Sequence, residues 1–386
     1  MIYLDNAATT PVDPEVAKVI HEALLENYYN PSSVYQAGKK NKHLINQARQ
    51  QLKELINLPK ADLYFTSGAT EANNWAILSQ AMKAKALGYG HHIVATAIEH
   101  PSVLEVLKYL ETQGFDITYL KPHDLNFSVE QFIAATTPQT IGWVAMLVNN
   151  ELGARLPIEE LGKIAKDHVK WFHVDAVQAF GHGKVDLEAL NATSYSASGH
   201  KLGAPKGIGF LAYQPWDEKM TLQPLLHGGG QEAGLRSGTE NLPYILGLTK
   251  AFELANQANL DTASELANYL MAQIKQKGIE FERNGAHQVP YIVNLYFPNI
   301  DASQLLVQTD LANIAISAGS ACSAGSLEVS HVLSAYYPND DQRHHQSIRL
   351  SFGKQNTKEE IDTFIQQLIN LKERTKQLWH SQQPQH

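Results

Sequence analysis

The sequence contains a single cysteine, Cys322, among its 386 residues. One thiol excludes a disulfide within the chain and a zinc site built from several thiolates. No stretch reaches the roughly 20 apolar residues that a membrane-spanning helix needs. The first residues, MIYLDNAATTP, have neither the basic flank nor the apolar core of a signal peptide. The sequence therefore predicts a cytoplasmic protein without membrane spans.

An excess of basic residues is also missing. The chain has 31 Lys and Arg against 39 Asp and Glu, which gives a formal net charge of −8. Nucleic acids and anionic membranes attract basic surfaces, so we expect neither a membrane nor a direct nucleic-acid partner. Hydrophobic residues make up 44% and charged residues 18% of the sequence, a globular balance. A chain of this length can form two closely packed domains.

Short apolar runs alternate with helical patterns through the first two thirds of the chain. Several of these runs are apolar on both faces, as in parallel sheets that helices cover. The alternation implies right-handed βαβ units and an α/β fold. The predicted strands are His92–Ile98, Phe115–Leu120, Ile141–Val148, Trp171–Val174 and Ile208–Tyr213.

The pattern changes after about residue 258. Strand-like runs at Tyr291–Phe297, Asn313–Ser317 and Ser347–Phe352 are interleaved with helical stretches, which indicates a smaller α+β domain. A long helix is predicted from about Lys358, and its buried stripe would contain Ile361, Phe364, Ile365, Leu368 and Leu371. Thr357 and Glu360 form a capping box at its start. A first amphipathic helix is predicted from about Pro14, with Val16, Ile20, Ala23 and Leu24 on one face.

The surroundings of Cys322 distinguish it from an ordinary cysteine. A lone cysteine is most often a small apolar residue of the core. Here it lies in SAGSACSAGS, residues 317–326, and such a run of small, polar and glycine residues is typical of an exposed loop. A thiol in such a loop would be accessible, so Cys322 is a candidate for chemistry.

A lysine and an aspartate stand where a cofactor could use them. Lys201 lies in the glycine-punctuated segment SGHKLGAPKG, residues 198–207, and a lysine that loses its proton can form a Schiff base with an aldehyde. Asp175 ends a predicted strand, where open α/β sheets bind ligands, and could keep a pyridinium nitrogen protonated. Taken alone, such a lysine is usually a solvated charge, and such an aspartate is more often a helix N-cap.

Four further motifs have chemical potential. TSGATE at residues 66–71 leads into a helix whose first N–H groups suit a phosphate. His100 and Asn150 each follow a predicted strand, and His100 could stack on a ring and move protons. Arg349 lies within a predicted strand, where it is either solvated or turned inward to clamp a carboxylate. Each motif is ordinary by itself, since helices often begin with Ser, Gly and Thr and a lone histidine is usually structural.

The joint order of the motifs resembles the cysteine desulfurases of the NifS/IscS-like group. This group belongs to the class V aminotransferases among the fold-type I pyridoxal-phosphate enzymes. SGHK and HVDAVQ alone would indicate only that wider superfamily. The matching segments cover the chain almost from end to end: LDNAATTP (4–11), NPSS (30–33), TSGATE (66–71), IEHPSV (98–103), VNNELG (148–153), HVDAVQ (173–178), SGHKLGAPKG (198–207), GGGQE and LRSGT (228–239), and SAGSACSAGS (317–326).

The resemblance implies a fold of two domains. Residues 15–258 would form a large pyridoxal-phosphate-binding domain, with a mainly parallel sheet of the seven-stranded type between helices. Residues 1–14 and 259–386 would form a smaller α+β domain that carries the Cys322 loop. Because a second subunit would complete the phosphate site, the resemblance also implies a homodimer.

The resemblance further implies a role for each candidate residue. Lys201 would hold pyridoxal 5'-phosphate covalently, and Asp175 would pair with its ring nitrogen. Gln178 would meet the phenolic oxygen, while His100 would stack on the ring. The phosphate ligands would be Ala69, Thr70, Ser198, His200 and, from a second subunit, Thr239. The ligands of the substrate carboxylate would be Asn30, Asn150 and Arg349, and no metal is implied.

The implied reaction removes sulfur from L-cysteine. Lys201 would take the α-proton, Cys322 would attack the substrate sulfur and keep it as a persulfide, and L-alanine would leave. The long loop around Cys322 resembles that of members that deliver sulfur directly to an acceptor. That acceptor could serve iron–sulfur cluster assembly, tRNA thiolation or a vitamin pathway. The sequence departs from the group at Tyr35, where a histidine is expected two residues after NPSS, and we assign Tyr35 no role.

Three other interpretations stay open from the sequence. An aminotransferase or a selenocysteine lyase would use the same cofactor residues, and an aminotransferase would leave Cys322 idle. A non-catalytic scaffold for iron–sulfur or tRNA-modifying proteins would have no use for Lys201 together with Asp175. A metal hydrolase would need a ligand spacing that the adjacent pairs His91–His92 and His344–His345 do not provide.

Overall fold

The computed structural model describes residues 1–318 and 329–381, with the side chains of the last helix up to Glu373. The helices and strands in these residues are, in chain order, β1 (Ile2–Tyr3), α1 (Pro14–Glu26), α2 (Gln36–Leu55), β2 (Asp62–Thr66), α3 (Ala69–Ala86), β3 (His92–Thr96), α4 (Pro101–Thr112), β4 (Asp116–Leu120), α5 (Val129–Ala135), β5 (Thr140–Met146), α6 (Ile158–His168), β6 (Trp171–Asp175), α7 (Leu187–Leu190), β7 (Ser194–Ser198), β8 (Gly209–Tyr213), α8 (Leu242–Gln257), α9 (Asp261–Gln276), β9 (Glu282–Arg283), β10 (Ile292–Tyr296), α10 (Ala302–Leu311), β11 (Ile314–Ala315), α11 (His331–Tyr336), α12 (Asp341–His345), β12 (Ser347–Ser351) and α13 (Lys358–Ser381).

A seven-stranded sheet forms the centre of the molecule. Its strand order is β2-β8-β7-β6-β5-β3-β4. The pairs from β7 to β4 are parallel, whereas β8 runs antiparallel to both of its neighbours. Helices α3, α4 and α6 contact strands of this sheet. The predicted α/β class with a mainly parallel sheet is confirmed.

The five strands predicted in this region are all present, with ends shifted by one or two residues. The sequence does not predict β2 and β7. Strand β7 reads SYSAS, and its serines and alanines have weak strand preference. All five of its residues are buried between β6 and β8, so tertiary pairing rather than local propensity decides this strand.

The first and last helices follow their predicted patterns with one exception. Helix α1 begins at Pro14, with Asp13 accepting a hydrogen bond from the Glu15 backbone N–H. Leu24 is 56% exposed, so its predicted place in the buried face is wrong. The side chains of Val16 and Ile20 pack against α8 at Gly247. In α13 the predicted stripe is buried, and the capping box of Thr357 and Glu360 is present.

The C-terminal third has a core and sheets of its own. Strands β9, β10 and β12 form an antiparallel sheet, and β1 pairs with β11. One buried cluster combines Leu4 with side chains from Leu266 to Leu371. The main core also contains Ala7 and Tyr291 together with side chains of α11. The division into residues 15–258 and residues 1–14 with 259–386 therefore stays a proposal. Among the described residues, no helix is long and apolar enough to cross a membrane.

Gly209, at the start of β8, allows the turn before α3 to lie close to the sheet. It pairs with Thr66 on one side and Ser198 on the other. A Cβ at this position would lie 2.3 Å from the Ala197 carbonyl oxygen and 2.8 Å from the Gly68 Cα. Such distances are not tolerated in folded proteins, so the missing side chain brings the N-terminus of α3 next to Ser198.

Gly209→Ala should therefore destabilise the fold. We expect the free energy of unfolding of the cofactor-free protein to fall by about 1–3 kcal/mol, the usual cost of overpacking. Denaturant titration measures this change. The control Asp62→Ala alters an exposed residue of β2 and should stay within about 0.5 kcal/mol of the unchanged protein. Equal stability of the two variants would contradict the close approach.

Candidate active site

The candidate residues converge on one cavity at the carboxyl ends of β5, β6 and β7. Its volume is about 530 Å³. Met146, Asp175 and Ser198 are the last residues of these three strands, and each lines the cavity. This is the edge where open α/β sheets bind ligands. Of the residues selected from the sequence, those in its wall are Ala69, Thr70, His100, Asn150, Asp175, Gln178, Ser198, His200, Lys201 and Arg349.

Lys201 follows β7 in a short turn. Its amine contacts the N-terminal segment, which we define as residues 4–13. Its Nζ donates to the carbonyl oxygens of Ala7 at 2.5 Å and Ala8 at 2.7 Å. The Ala7 carbonyl also accepts a hydrogen bond of 2.9 Å from Gln178 Nε2. Backbone carbonyls of the N-terminal segment thus set the position of two candidate residues in the cavity.

Asp175 ends a directed chain of buried hydrogen bonds. Burial lowers the pKa of His173 to about 3, so this ring is neutral. Its Nδ1 lies 2.9 Å from Ser194 Oγ, and its Nε2 lies 2.9 Å from Asn73 Oδ1. An amide oxygen only accepts, so Nε2 carries the proton and the Asn73 amide group turns its Nδ2 towards Asp175 Oδ2, at 2.8 Å. With Val177 N–H donating to the other oxygen, both oxygens of Asp175 are oriented.

His100 caps α4 and presents a neutral ring to the cavity. Its Nδ1 accepts from the Ser102 backbone N–H at 3.1 Å and lies 2.8 Å from Ser102 Oγ. The proton of the neutral ring is therefore on Nε2. Burial lowers the pKa of His100; the negative charge of Asp175 opposes this effect, and the positive charge of Lys201 adds to it. A neutral histidine at this wall can stack on a ring and exchange a proton.

The N-terminus of α3 offers an anion site. The N-cap of α3 is Gly68, which has no side chain. The first backbone N–H groups of the helix therefore receive no hydrogen bond from an N-cap side chain. A Cβ on Gly68 would lie 3.4 Å from Ser198 Oγ, which places that hydroxyl at the same turn. Glu71 is paired with Arg236 Nε at 2.7 Å. Because the arginine neutralises Glu71, the carboxylate in the first turn does not oppose an anion.

Arg349 enters the cavity wall from the C-terminal sheet. It is 2% exposed, which corresponds to the inward-facing alternative. Its Nη1 donates to the Asn150 carbonyl oxygen at 2.8 Å, and its Nη2 donates to Asp5 Oδ1 at 2.7 Å. Arg349 and Asn150 are therefore adjacent, which is required if both are to bind the same carboxylate.

Three predicted residues are not brought into this cavity. Asn30 is exposed and lies outside its wall. Thr239 lines a neighbouring cavity of about 210 Å³, which shares Ser67 and Gly207 with the first. Cys322 lies outside the described residues. Within the described part of the chain, no group of three or more His, Cys, Asp or Glu residues could hold a metal ion.

The residues that support the candidates are not predicted from the sequence. Asn73 and Ser102 connect Asp175 with His100, because Asn73 Nδ2 also donates to Ser102 Oγ at 2.9 Å. Asn73 lies one helical turn after Ala69, the first residue of α3. If the N-terminus of this helix binds a phosphate, this spacing places Asn73 next to the binding site, and it could have been used to predict the residue. Asp5 lies in the matched LDNAATTP segment but received no role.

Glu99 is a fully buried carboxyl beside His100. Its Oε1 accepts from Thr96 Oγ1 at 2.5 Å and from the Met146 backbone N–H at 2.9 Å. Burial raises its pKa from 4.5 to about 8, and the charge of Asp175 adds to this effect. Near neutral pH this carboxyl is therefore protonated in the folded protein.

A raised pKa of Glu99 makes stability depend on pH. Between pH 4.5 and about 8 the folded state holds a proton that the unfolded state has lost. The free energy of unfolding should therefore fall with rising pH, by up to about 1.4 kcal/mol per pH unit from this group. Glu99→Gln cannot ionise and should show a shallower decline in denaturant titrations across this range. Equal slopes for Glu99→Gln and the unchanged protein would refute the raised pKa.

Comparison with known proteins identifies the family. The family model described as Aminotransferase class-V matches residues 2–364, and the chain belongs to this family. "Cysteine desulfurase IscS" of Clostridium botulinum is 40% identical over 378 residues, which covers 95% of this chain and 93% of that protein. Within the class-V family, the chain therefore belongs with the cysteine desulfurases.

Solved structures give the same assignment. A structure described as a NifS-like protein superimposes with a TM-score of 0.86 at 32% identity and covers 95% of this chain and 97% of its own. Another, described as SspA in complex with cysteine, has a TM-score of 0.79 at 34% identity and covers 92% of this chain and 100% of its own. The cavity described above thus lies in a fold that these proteins share.

Proposed function

We propose that this protein is a pyridoxal-phosphate-dependent cysteine desulfurase that transfers sulfur from L-cysteine to Cys322. The observation that carries the proposal is the single cavity lined jointly by Lys201, Asp175, His100 and Arg349. An amine, a carboxylate, a neutral imidazole and a guanidinium in one cavity suit an amino-acid substrate and an aldehyde cofactor. The names of the relatives and the neighbour solved with cysteine support the same substrate.

The cavity fits the cofactor in size and in donor chemistry. A volume of about 530 Å³ lies in the range of small-molecule sites. The anion site would hold the phosphate through Ala69, Thr70, Ser198 and His200. Asp175 would meet the ring nitrogen, Gln178 the phenolic oxygen, His100 the ring face and Lys201 the aldehyde carbon. When bound, the cofactor supplies an electron sink for negative charge at the substrate α-carbon.

The residues of this chain orient the substrate and move its protons. Arg349 and Asn150 bind the carboxylate of L-cysteine and so direct its α-carbon towards Lys201. The amine of Lys201, when not bonded to the cofactor, would accept the α-proton. His100, neutral with its proton on Nε2, donates and recovers a proton at the cavity wall. The hydrogen-bond chain that ends at Asp175 fixes the orientation of that carboxylate, which would meet the ring nitrogen.

Cys322 receives the sulfur without an outside oxidant. Its thiolate attacks the sulfur of the substrate, so that one S–S bond forms and the substrate C–S bond breaks. The substrate carbon is reduced to the methyl group of L-alanine, while the transferred sulfur is oxidised to the persulfide level. One L-cysteine and one thiol thus give one L-alanine and one persulfide.

A second subunit would complete the phosphate site. Thr239 is exposed and lines the cavity that adjoins the first through Ser67 and Gly207. We infer a homodimer in which the partner subunit's Thr239 reaches the phosphate. Asn30 is exposed outside the cavity of one chain, so its role as a carboxylate ligand stays a prediction. Sedimentation analysis of the loaded protein should give the mass of a dimer. The persulfide would pass in the cytoplasm to an acceptor protein, either an iron–sulfur cluster scaffold or a tRNA-thiolation enzyme.

Cys322→Ala should abolish sulfur transfer. The variant lacks the attacking thiolate, so alanine release from L-cysteine should fall by at least about a hundredfold. Alanine is measured by chromatography, with the unchanged protein as reference and bound cofactor measured in both. An aminotransferase has no use for this thiol. Equal alanine release by the two proteins would therefore favour that alternative and overturn the role of Cys322.

Lys201→Ala should abolish the covalent link to the cofactor. The visible absorbance of protein-bound pyridoxal phosphate should move to that of the free aldehyde, because the amine is missing. Lys206 lies five residues further on and also lines the cavity, so Lys206→Ala is the matched control. This control should keep the protein-bound spectrum. An unchanged spectrum in Lys201→Ala would show that another amine holds the cofactor.

A further inference from the structure

Arg349 contacts a carboxylate of its own chain in the wall of the cavity. Its Nη2 lies 2.7 Å from Asp5 Oδ1, and the two side chains are 2% and 14% exposed. We propose that Asp5 is a positioning residue that sets Arg349 for the carboxylate of L-cysteine. This proposal rests on the proposed function, since it assigns Arg349 to the substrate.

The backbone and a second side chain hold Asp5 in place. It forms a bridge with Ser351 of β12, and its neighbours bond to the same residue. The Leu4 carbonyl accepts from Ser351 N–H at 2.8 Å, and Asn6 N–H donates to the Ser351 carbonyl at 3.3 Å. Asp5 Oδ2 accepts from Ser317 Oγ at 3.3 Å. With both oxygens engaged, Asp5 is a fixed point against which the guanidinium is oriented.

The remaining donors of Arg349 suit a second carboxylate. A guanidinium has five N–H bonds, and the contacts to Asp5 and the Asn150 carbonyl use two of them. Its Nε is buried and has no partner among the described residues. A carboxylate that accepts two parallel hydrogen bonds would engage donors that are otherwise unsatisfied. The contact with Asp5 thus leaves Arg349 oriented but not saturated.

Glu151 offers Arg349 a competing acceptor. It is fully buried next to Asn150, and burial raises its pKa, while the Ser330 hydrogen bond and the positive charges of His331 and Arg349 oppose this rise. Its Oε2 accepts from Ser330 Oγ at 2.5 Å, while Oε1 has no partner among the described residues. Without Asp5, a buried cation needs another partner. Arg349 would then turn towards Glu151, and its free donors would no longer face the substrate.

Two effects of Asp5 on the substrate oppose each other. Its hydrogen bond orients Arg349 and strengthens carboxylate binding, whereas its negative charge repels the incoming carboxylate. Orientation should win, because two-pronged contacts depend steeply on geometry. The sign of the change in affinity after removing Asp5 therefore decides the proposal.

The test compares two ligands that differ in the carboxylate. L-Alanine carries an amine and a carboxylate, and ethylamine carries the amine alone. Each is titrated into the cofactor-loaded protein, and binding is followed by the absorbance of the bound cofactor. Asp5→Ala should weaken L-alanine by at least about tenfold, the scale for truncating a buried charge pair. Ethylamine should bind as before, and Asp5→Asn should recover part of the loss because its amide oxygen still accepts.

Asp13→Asn is the matched control. Asp13 also lies in the N-terminal segment and pairs with Lys354, just after β12. The amide removes this ion pair but keeps the oxygen that caps α1. Both ligands should bind to this variant as they do to the unchanged protein. If Asp13→Asn also weakens L-alanine binding, then losing any contact of the N-terminal segment has this effect. That result would overturn a specific role of Asp5.

Two further results would also overturn the proposal. One is L-alanine binding to Asp5→Ala as tightly as to the unchanged protein, or more tightly. The other is an equal loss for both ligands, since Asp5 would then support the cofactor or the fold. Should Asp5→Ala not fold, Asp5→Asn is the test, with a smaller loss confined to L-alanine. Failure of the desulfurase proposal appears separately, as no alanine formed from L-cysteine by the unchanged protein.

Discussion

The N-terminal segment, residues 4–13, is the part of the structure on which the site depends. It pairs with β12 at Ser351 and so belongs to the C-terminal core, where Leu4 is buried. Its Ala7 and Ala8 carbonyls nevertheless hold Lys201 from the large sheet. Asp5, only two residues earlier, holds Arg349. One short segment therefore sets the separation between the proposed cofactor amine and the proposed carboxylate clamp.

Burial determines the charge states around this segment. His173 and His100 have lowered pKa values, so both rings are neutral and act through directed hydrogen bonds. Glu99 has a raised pKa and holds a proton close to them. The charged Arg349 forms an ion pair with Asp5, whereas Asp175 accepts hydrogen bonds from the neutral donors Asn73 and Val177. This arrangement is consistent with the proposed role of Asp175 as the partner of a cationic ring nitrogen.

Much of the fold and site follows from where motifs stand relative to strands. Asp175 and Ser198 end parallel strands and His100 closely follows one, and such ends meet at one edge of a sheet. Residues that act through tertiary packing are harder to predict. β7 consists of small residues, and Asn73 acquires its role only when His173 and Asp175 lie on either side of it. Asn30 and Thr239 lie outside the main cavity of one chain. For Thr239 the proposed role requires a second chain, and for Asn30 the predicted role remains untested.

The most direct test of the account is the mass of the Cys322 peptide after reaction. The cofactor-loaded protein is incubated with L-cysteine, digested without reductant and analysed by mass spectrometry. We predict that the peptide with Cys322 gains the mass of one sulfur atom, and that Lys201→Ala shows no gain. An unmodified Cys322 peptide alongside stoichiometric L-alanine would contradict the account, because the sulfur would then leave by a route that does not involve this thiol.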